Sequence, residues 1–233
     1  MADVRKDQAQ LTKAEWHRLI DAINQLHGVD TKRPAYREFV KLHTDAMTTA
    51  DGMTWEVHTM QSMGMVGRNF LAWHRRYVRS FELRLQQIDP EVTIPYWDWT
   101  KNRQVPKPLS DPALLESWSV ERDEFDESLL PTKGLVNQVM RLSPFRPFQR
   151  NLEAIHNPVH NAVGGDMATA HSPADPIFFL HHAAIDRLWA QWQASSRGAE
   201  PLNASTSLKP RGKIISGKVS AVLDTGALGY SYA

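Results

Sequence analysis

Apolar residues recur at helical spacing in five stretches of the chain. In residues 11–26, Leu19, Ala22, Ile23 and Leu26 fall on one face, and Thr12 with Glu15 three residues later is a capping-box start. In 35–47 the stripe is Tyr36, Phe39, Val40, His43 and Met47. In 70–88 it is Phe70, Leu71, His74, Tyr77, Val78, Phe81 and Leu85, with Arg75, Arg76, Arg79 and Arg84 directed elsewhere. Residues 151–163 form a fourth candidate helix, in which Pro158 requires a local kink or restart. Residues 175–194 are apolar nearly all round, so this helix is expected to be buried, with Asp175 as N-cap and Pro176 in the first turn.

Between these stretches the pattern weakens. VTIPYWDWT (92–100) reads as extended before Pro95. Residues 101–150 hold six prolines and read as irregular, either a surface excursion or a loose lobe packed on the main body. The tail from 195 is polar and closes on a segment with room for one or two short strands. No repeat of 20–50 residues is visible. A length of 233 residues suits a single domain spanning 1–233.

Composition narrows the function classes. Apolar residues make up 42%, enough for a core, and the net charge of +1 gives no global field toward nucleic acid or an anionic membrane. With no cysteine, disulfides, thiolate metal sites and cysteine nucleophiles are excluded. The opening MADVRKDQAQL has no apolar signal segment. The expected location is therefore cytoplasmic, with export alongside a partner protein left open. No stretch approaches the roughly 18 apolar residues a bilayer span needs. Eight tryptophans and ten unevenly placed histidines stand out.

His43 and His74 lie on the apolar stripes of two helices, and His58 lies between them. His156 and His160 are four apart, on one face of another helix. His182 lies on the buried last helix. Six buried imidazoles in two groups of three are hard to accommodate without a metal. Imidazole alone suits zinc, copper, iron or nickel. Asn157 stands where a zinc protease motif needs glutamate. Only Glu153–His156 fits the Glu-x-x-His of a di-iron carboxylate bundle. Two all-histidine sites fit a copper pair best.

FLAWHRRYVRSFELRLQ with IPYWDW, and HNPVH with DPIFFLHHAAIDRLW, resemble the two copper-binding signatures of tyrosinases and related type-3 copper proteins. VRKDQAQLT and LGYSY are similar to the family's start and to its closing tyrosine motif. The resemblance implies a mainly α fold: a central antiparallel four-helix bundle around a dicopper site, with long loops and a few short β-strands near the termini. It implies one copper held by His43, His58 and His74 and a second by His156, His160 and His182, with O2 as co-substrate. His58, 16 residues before His74, is more widely spaced than in compact relatives. The implied reaction is ortho-hydroxylation of monophenols and oxidation of o-diphenols to o-quinones. Asn157 and Glu153 would orient a water that takes the phenol proton, since a free phenol has a pKa of about 10.

His181 is expected beside the site as a neighbour of the ligands, because adjacent helical residues point about 100° apart. Asp186, one turn beyond His182, would fix a helix or an imidazole. Asn161 and Ala170 are further pocket candidates, the small Ala170 leaving the mouth open. Arg5 is expected to stack on Tyr230 or Tyr232. His17 reads as a solvated residue, and His27 as a helix-end cation. Substrates would be small phenols, and a copper-delivering helper protein is a candidate partner. Two other readings compete. One is a catechol or o-aminophenol oxidase with little monophenolase activity. The other is a haemocyanin-like oxygen carrier, disfavoured because the 51 residues after His182 are too few for a shielding domain.

Overall fold

The computed structural model describes residues 3–28, 35–47, 57–58, 67–195, 197, 203–210 and 212–233. Its helices are α1 (Lys13–Gly28), α2 (Tyr36–Met47), α3 (Phe70–Gln86), α4 (Pro112–Trp118), α5 (Lys133–Val139), α6 (Phe145–Val163) and α7 (Ile177–Ala194). Two short strands, β1 (Asp3–Arg5) and β2 (Tyr230–Tyr232), pair in parallel. The long helices α2, α3, α6 and α7 form the antiparallel bundle. Every α7 residue from Ile177 to Asp186 is buried, as its all-round apolar character requires. Phe81 and Phe179 stack at 3.6 Å between α3 and α7. Trp73, Trp97, Trp99, Trp189 and Trp192 are core. No described helix is long and apolar enough to cross a membrane.

Local chemistry explains the helix ends. Glu15 accepts from the Thr12 N–H at 2.8 Å while Thr12 Oγ1 accepts from the Glu15 N–H at 3.2 Å, the reciprocal capping box. The N-cap of α7 is Pro176 rather than Asp175, which stands one residue earlier and accepts from the Ile177 N–H at 3.0 Å. Both of its oxygens are also held by Arg122, at 2.6 and 2.8 Å.

Residues 101–150 correct the expectation of an irregular segment. Asp111 caps α4 through the Ala113 N–H at 2.9 Å, with Pro112 at its first position, and Thr132 caps α5 through the Leu135 N–H at 3.2 Å. Seven-residue helices bury too few apolar positions to show a period, although both start signals stand in the sequence. α6 begins at Phe145, not near residue 151, and continues through Pro158 as one helix. Its early turns bury Phe145, Phe148 and Leu152, whose packing outweighs the bond lost at Pro158.

Among the described residues the tail contributes one strand, β2, and residues 219–222 form a 3-10 turn. Arg75, Arg79 and Arg84 on α3 are buried rather than solvated. Arg5 is also fully buried; it grips Glu82 at 3.0 and 2.8 Å and lies 3.7 Å over the Tyr230 ring. Asp186 accepts from Arg75, from Arg5 at 3.4 Å, and from the Tyr230 and Tyr232 hydroxyls at 2.6 Å each. Burial alone would raise the Asp186 carboxyl. Arg75 and Arg5, with the two hydroxyls, outweigh it and hold it below the ordinary carboxylate range. This knot ties both chain ends to α3 and α7.

Candidate metal centre

Four histidine rings are oriented by what their Nδ1 atoms meet. His43 Nδ1 donates to the Ala170 carbonyl at 2.9 Å, His74 Nδ1 to Phe70 at 2.8 Å, and His160 Nδ1 to Met167 at 2.7 Å. His156 Nδ1 donates to Asn157 Oδ1 at 3.0 Å. A carbonyl oxygen only accepts, so each of these rings carries its proton on Nδ1 and keeps a lone pair on Nε2.

These rings converge with His58 and His182 in two groups. His43, His58 and His74 bring ring nitrogens within 4.8 Å of one another. Their Nε2 atoms are buried and meet no hydrogen-bond partner among the described residues. In the second group the His156 Nε2 lies 2.8 Å from His160 Nε2 and 3.1 Å from His182 Nε2, and His160 and His182 are 3.3 Å apart. His181 also brings a ring nitrogen within 4.8 Å of those of His156 and His160, so four imidazoles crowd this side. Neutral imidazole lone pairs this close repel unless a cation lies between them, so the donor set fits a metal ion in each group. The groups adjoin: the His74 and His182 rings stack at 4.3 Å. Phe178 stacks on His182 at 4.0 Å and meets His43 edge-on at 5.1 Å.

Burial is the largest cause holding these rings neutral. It lowers His43 to about 3 and His160 to about 4, against an ordinary 6.5, even though the carbonyl bonds of both rings favour the charged form. His58, His74, His156, His181 and His182 are lowered the same way, by burial first and by neighbouring imidazoles after it. A neutral imidazole is the form that ligates a metal.

The remaining candidates fall in different places. Glu153 is buried on α6, with Oε1 3.9 Å from His58 Nδ1. Asn157 is exposed, and its Oδ1 is engaged by the His156 ring. Asn161 is also exposed. Ala170 contributes its carbonyl, which takes both His43 and the Thr44 hydroxyl. Asp186 meets arginines and tyrosines, so of its two expected roles it fills the helix-fixing one. His17 is exposed as expected. His27 is corrected: its ring stacks on Tyr36 at 4.0 Å and burial lowers it to about 4, so it is not a helix-end cation.

The Trp99 indole and the Phe70 and Met167 carbonyls were not anticipated, and Ala170, expected as a small residue at the pocket mouth, contributes through its backbone. Trp99 Nε1 donates to His181 Nδ1 at 3.1 Å. The Met167 and Ala170 carbonyls sit in a loop whose backbone carries no residue-type signal. That loop is docked on the 101–150 segment. The Asp166 N–H donates to Glu121 O, the Glu121 N–H to Asp166 Oδ2 and the Gly165 N–H to Asp123 Oδ2, each at 2.9 Å. The segment that read as an excursion thus holds the carbonyls that aim His43 and His160.

Comparison with known proteins agrees with this geometry. The model of the common central domain of tyrosinase matches residues 33–132 and 117–195. A tyrosinase of Streptomyces glaucescens is 33% identical, with 87% of this chain and 86% of that protein aligned. Grixazone synthase of Streptomyces griseus is 30% identical over 83% of this chain and 85% of its own length. A functional unit of octopus hemocyanin shares the fold, with a TM-score of 0.80 at 25% identity, covering 99% of this chain and 68% of that one. Identity of that degree with tyrosinases, over that much of both chains, makes this protein a member of the tyrosinase family and a tyrosinase-type oxidoreductase.

Proposed function

We propose that the protein binds two copper ions and uses O2 to hydroxylate monophenols at the ortho position and to oxidise o-diphenols to o-quinones. The observation that carries this reading is the pair of adjoining imidazole groups with their lone pairs turned inward. The copper pair supplies the redox chemistry when bound. His43, His58 and His74 would hold one ion, and His156, His160 and His182 the other.

The choice of His182 over His181 rests on protons. An indole N–H only donates, so His181 Nδ1 accepts from Trp99 and the neutral ring carries its proton on Nε2. His181 then has no lone pair to offer. The His182 Nε2 lies within 3.3 Å of both other Nε2 atoms of its group. His181 instead stacks on His156 at 4.9 Å and steadies that ring.

The chain's own contribution to monophenol chemistry is proton removal. Asn157 Oδ1 is occupied by His156, which leaves the amide N–H groups directed away from that ring. Glu153, on the turn before, is the carboxylate that together with Asn157 would hold a water to accept the phenol proton. Asn157 is exposed, so a substrate ring has an approach along α6. A copper-delivering helper protein remains part of the proposal; full loading of the purified chain by free copper ions would remove the need for it.

The second reading is an o-aminophenol or catechol oxidase with little monophenolase activity, which the same two imidazole groups would serve. Copper loading followed by oxygen consumption on tyrosine, a catechol and o-aminophenol separates the two. Two coppers per chain with turnover of all three substrates is the expected result. Turnover of catechol and o-aminophenol without tyrosine would establish the second reading. Two coppers with reversible O2 uptake and no phenol turnover would make the protein a carrier.

A further inference from the structure

We propose that the exposed face of α6 is a docking track for acidic peptides that carry a tyrosine, delivering the tyrosine ring to the imidazole groups. This deepens the substrate class of the oxidase reading and rests on it. Arg146, Arg150, Ala154, Asn157 and Asn161 are all exposed. Their spacing of four, four, three and four residues aligns them along one side of the helix. Asn157 marks the end of the track at the metal centre, because it holds the His156 ring.

The other end is a cavity of about 820 Å³ that carries the Arg146 and Arg150 side chains, together with Gln149, Asn151 and Asn203. It reaches Ala154, one turn from Asn157. No described carboxylate lines it. Arg5, Arg75, Arg79, Arg103 and Arg122 each meet a carboxylate. Among the described residues Arg146 and Arg150 meet none. They also sit in the early turns of a helix with no acidic residue in its first turn and no side-chain cap. Cations there oppose the helix dipole, so helix stability does not account for them.

Spacing selects the ligand. Along α6 Arg150 is about 10 Å and Arg146 about 16 Å from Asn157, at 1.5 Å per residue. An extended chain at about 3.3 Å per residue covers those spans in three and five residues. Free tyrosine holds its carboxylate too close to its ring to reach. A peptide with acidic side chains three to five positions from its tyrosine fits.

The test compares oxidation of two peptide series, with aspartates or with asparagines three to five positions to either side of one tyrosine. Wild type is expected to favour the acidic series about tenfold in kcat/KM at low salt, and to lose that preference in high salt. The exposed double variant R146Q/R150Q should treat both series within about twofold while oxidising a free catechol at the wild-type rate. R146E/R150E should turn the preference toward lysine peptides. Equal turnover of both series by wild type, or a preference that survives R146Q/R150Q, would overturn the proposal. So would the same arginine dependence for a short phenolic acid, since it cannot span the track. A parallel arm measures binding of labelled phenylalanine versions by fluorescence anisotropy. Arginine-dependent binding without any phenol turnover would uphold the track and sink the oxidase reading; turnover of phenols without it would do the reverse.

Discussion

Replacing Asp186 with asparagine should unfold the protein far more readily while changing almost no volume. The carboxylate accepts from Arg75, Arg5, Tyr230 and Tyr232, and all of it is buried. Arg5 keeps both its bonds to Glu82, so its loss is small. Arg75 keeps three neutral acceptors, Gln193 Oε1 at 2.9 Å, Val222 O at 3.1 Å and Leu223 O at 2.9 Å, but loses its carboxylate. A buried cation stripped of its counter-charge costs about 3 to 5 kcal/mol. With an m-value of about 2.5 kcal/mol/M, the urea midpoint falls by about 1 to 2 M. Tyr232→Phe removes one hydroxyl from the same knot and should cost about 1 to 2 kcal/mol. Urea unfolding followed by tryptophan fluorescence reads both. A loss below about 1 kcal/mol for Asp186→Asn would mean that the neutral acceptors already satisfy Arg75, and the knot would not be what joins the chain ends to α3 and α7.

The buried histidines set an acid limit. His43 and His160 titrate at about 3 and about 4 in the fold against 6.5 when free, so the unfolded chain binds more protons below pH 6.5 and stability falls as pH falls from there toward about 4. Each contributes a loss of about 1 kcal/mol between pH 6.5 and about 5.5, and the other buried imidazoles act with the same sign; an unchanged urea midpoint of the copper-free protein over that interval would refute this. Gly165→Ala places a methyl against the Glu121 carbonyl at a residue with φ of +53°, and should destabilise by about 2 kcal/mol or more; because it displaces the loop bearing Met167 O, copper bound per chain should fall too, and full occupancy would dissociate loop position from His160. His182→Ala should leave one copper per chain by elemental analysis, whereas His181→Gln should leave two; the opposite pattern would make His181 the ligand. Asn157→Ala or Glu153→Gln should reduce tyrosine turnover by about tenfold or more while catechol turnover changes little, and equal loss on both substrates would argue against the water-holding role.

The long helices were readable because each buries a continuous stripe, and stripe and period are the same physical fact. His43 and His74 could be placed inside for that reason, and His156 with His160 by their four-residue separation. Two kinds of information were missing from the pattern. α4 and α5 are too short to display a period, and only their caps at Asp111 and Thr132 marked them. The partners that aim the rings are backbone carbonyls of Phe70, Met167 and Ala170, which any residue type would supply. Arg75 on α3 shows the same limit: its position off the apolar stripe was visible, but its acceptors, Asp186, Gln193 and the Val222 and Leu223 carbonyls, lie in other segments of the chain. The His181–His182 pair shows how the two sources combine. Helical geometry separates the directions of the two rings without saying which nitrogen is free. The indole proton of Trp99, more than eighty residues away in sequence, takes the His181 Nδ1 lone pair and so places that ring's proton on Nε2. The proton position on the His181 ring is therefore set by a neighbour that only the folded chain brings into contact with it.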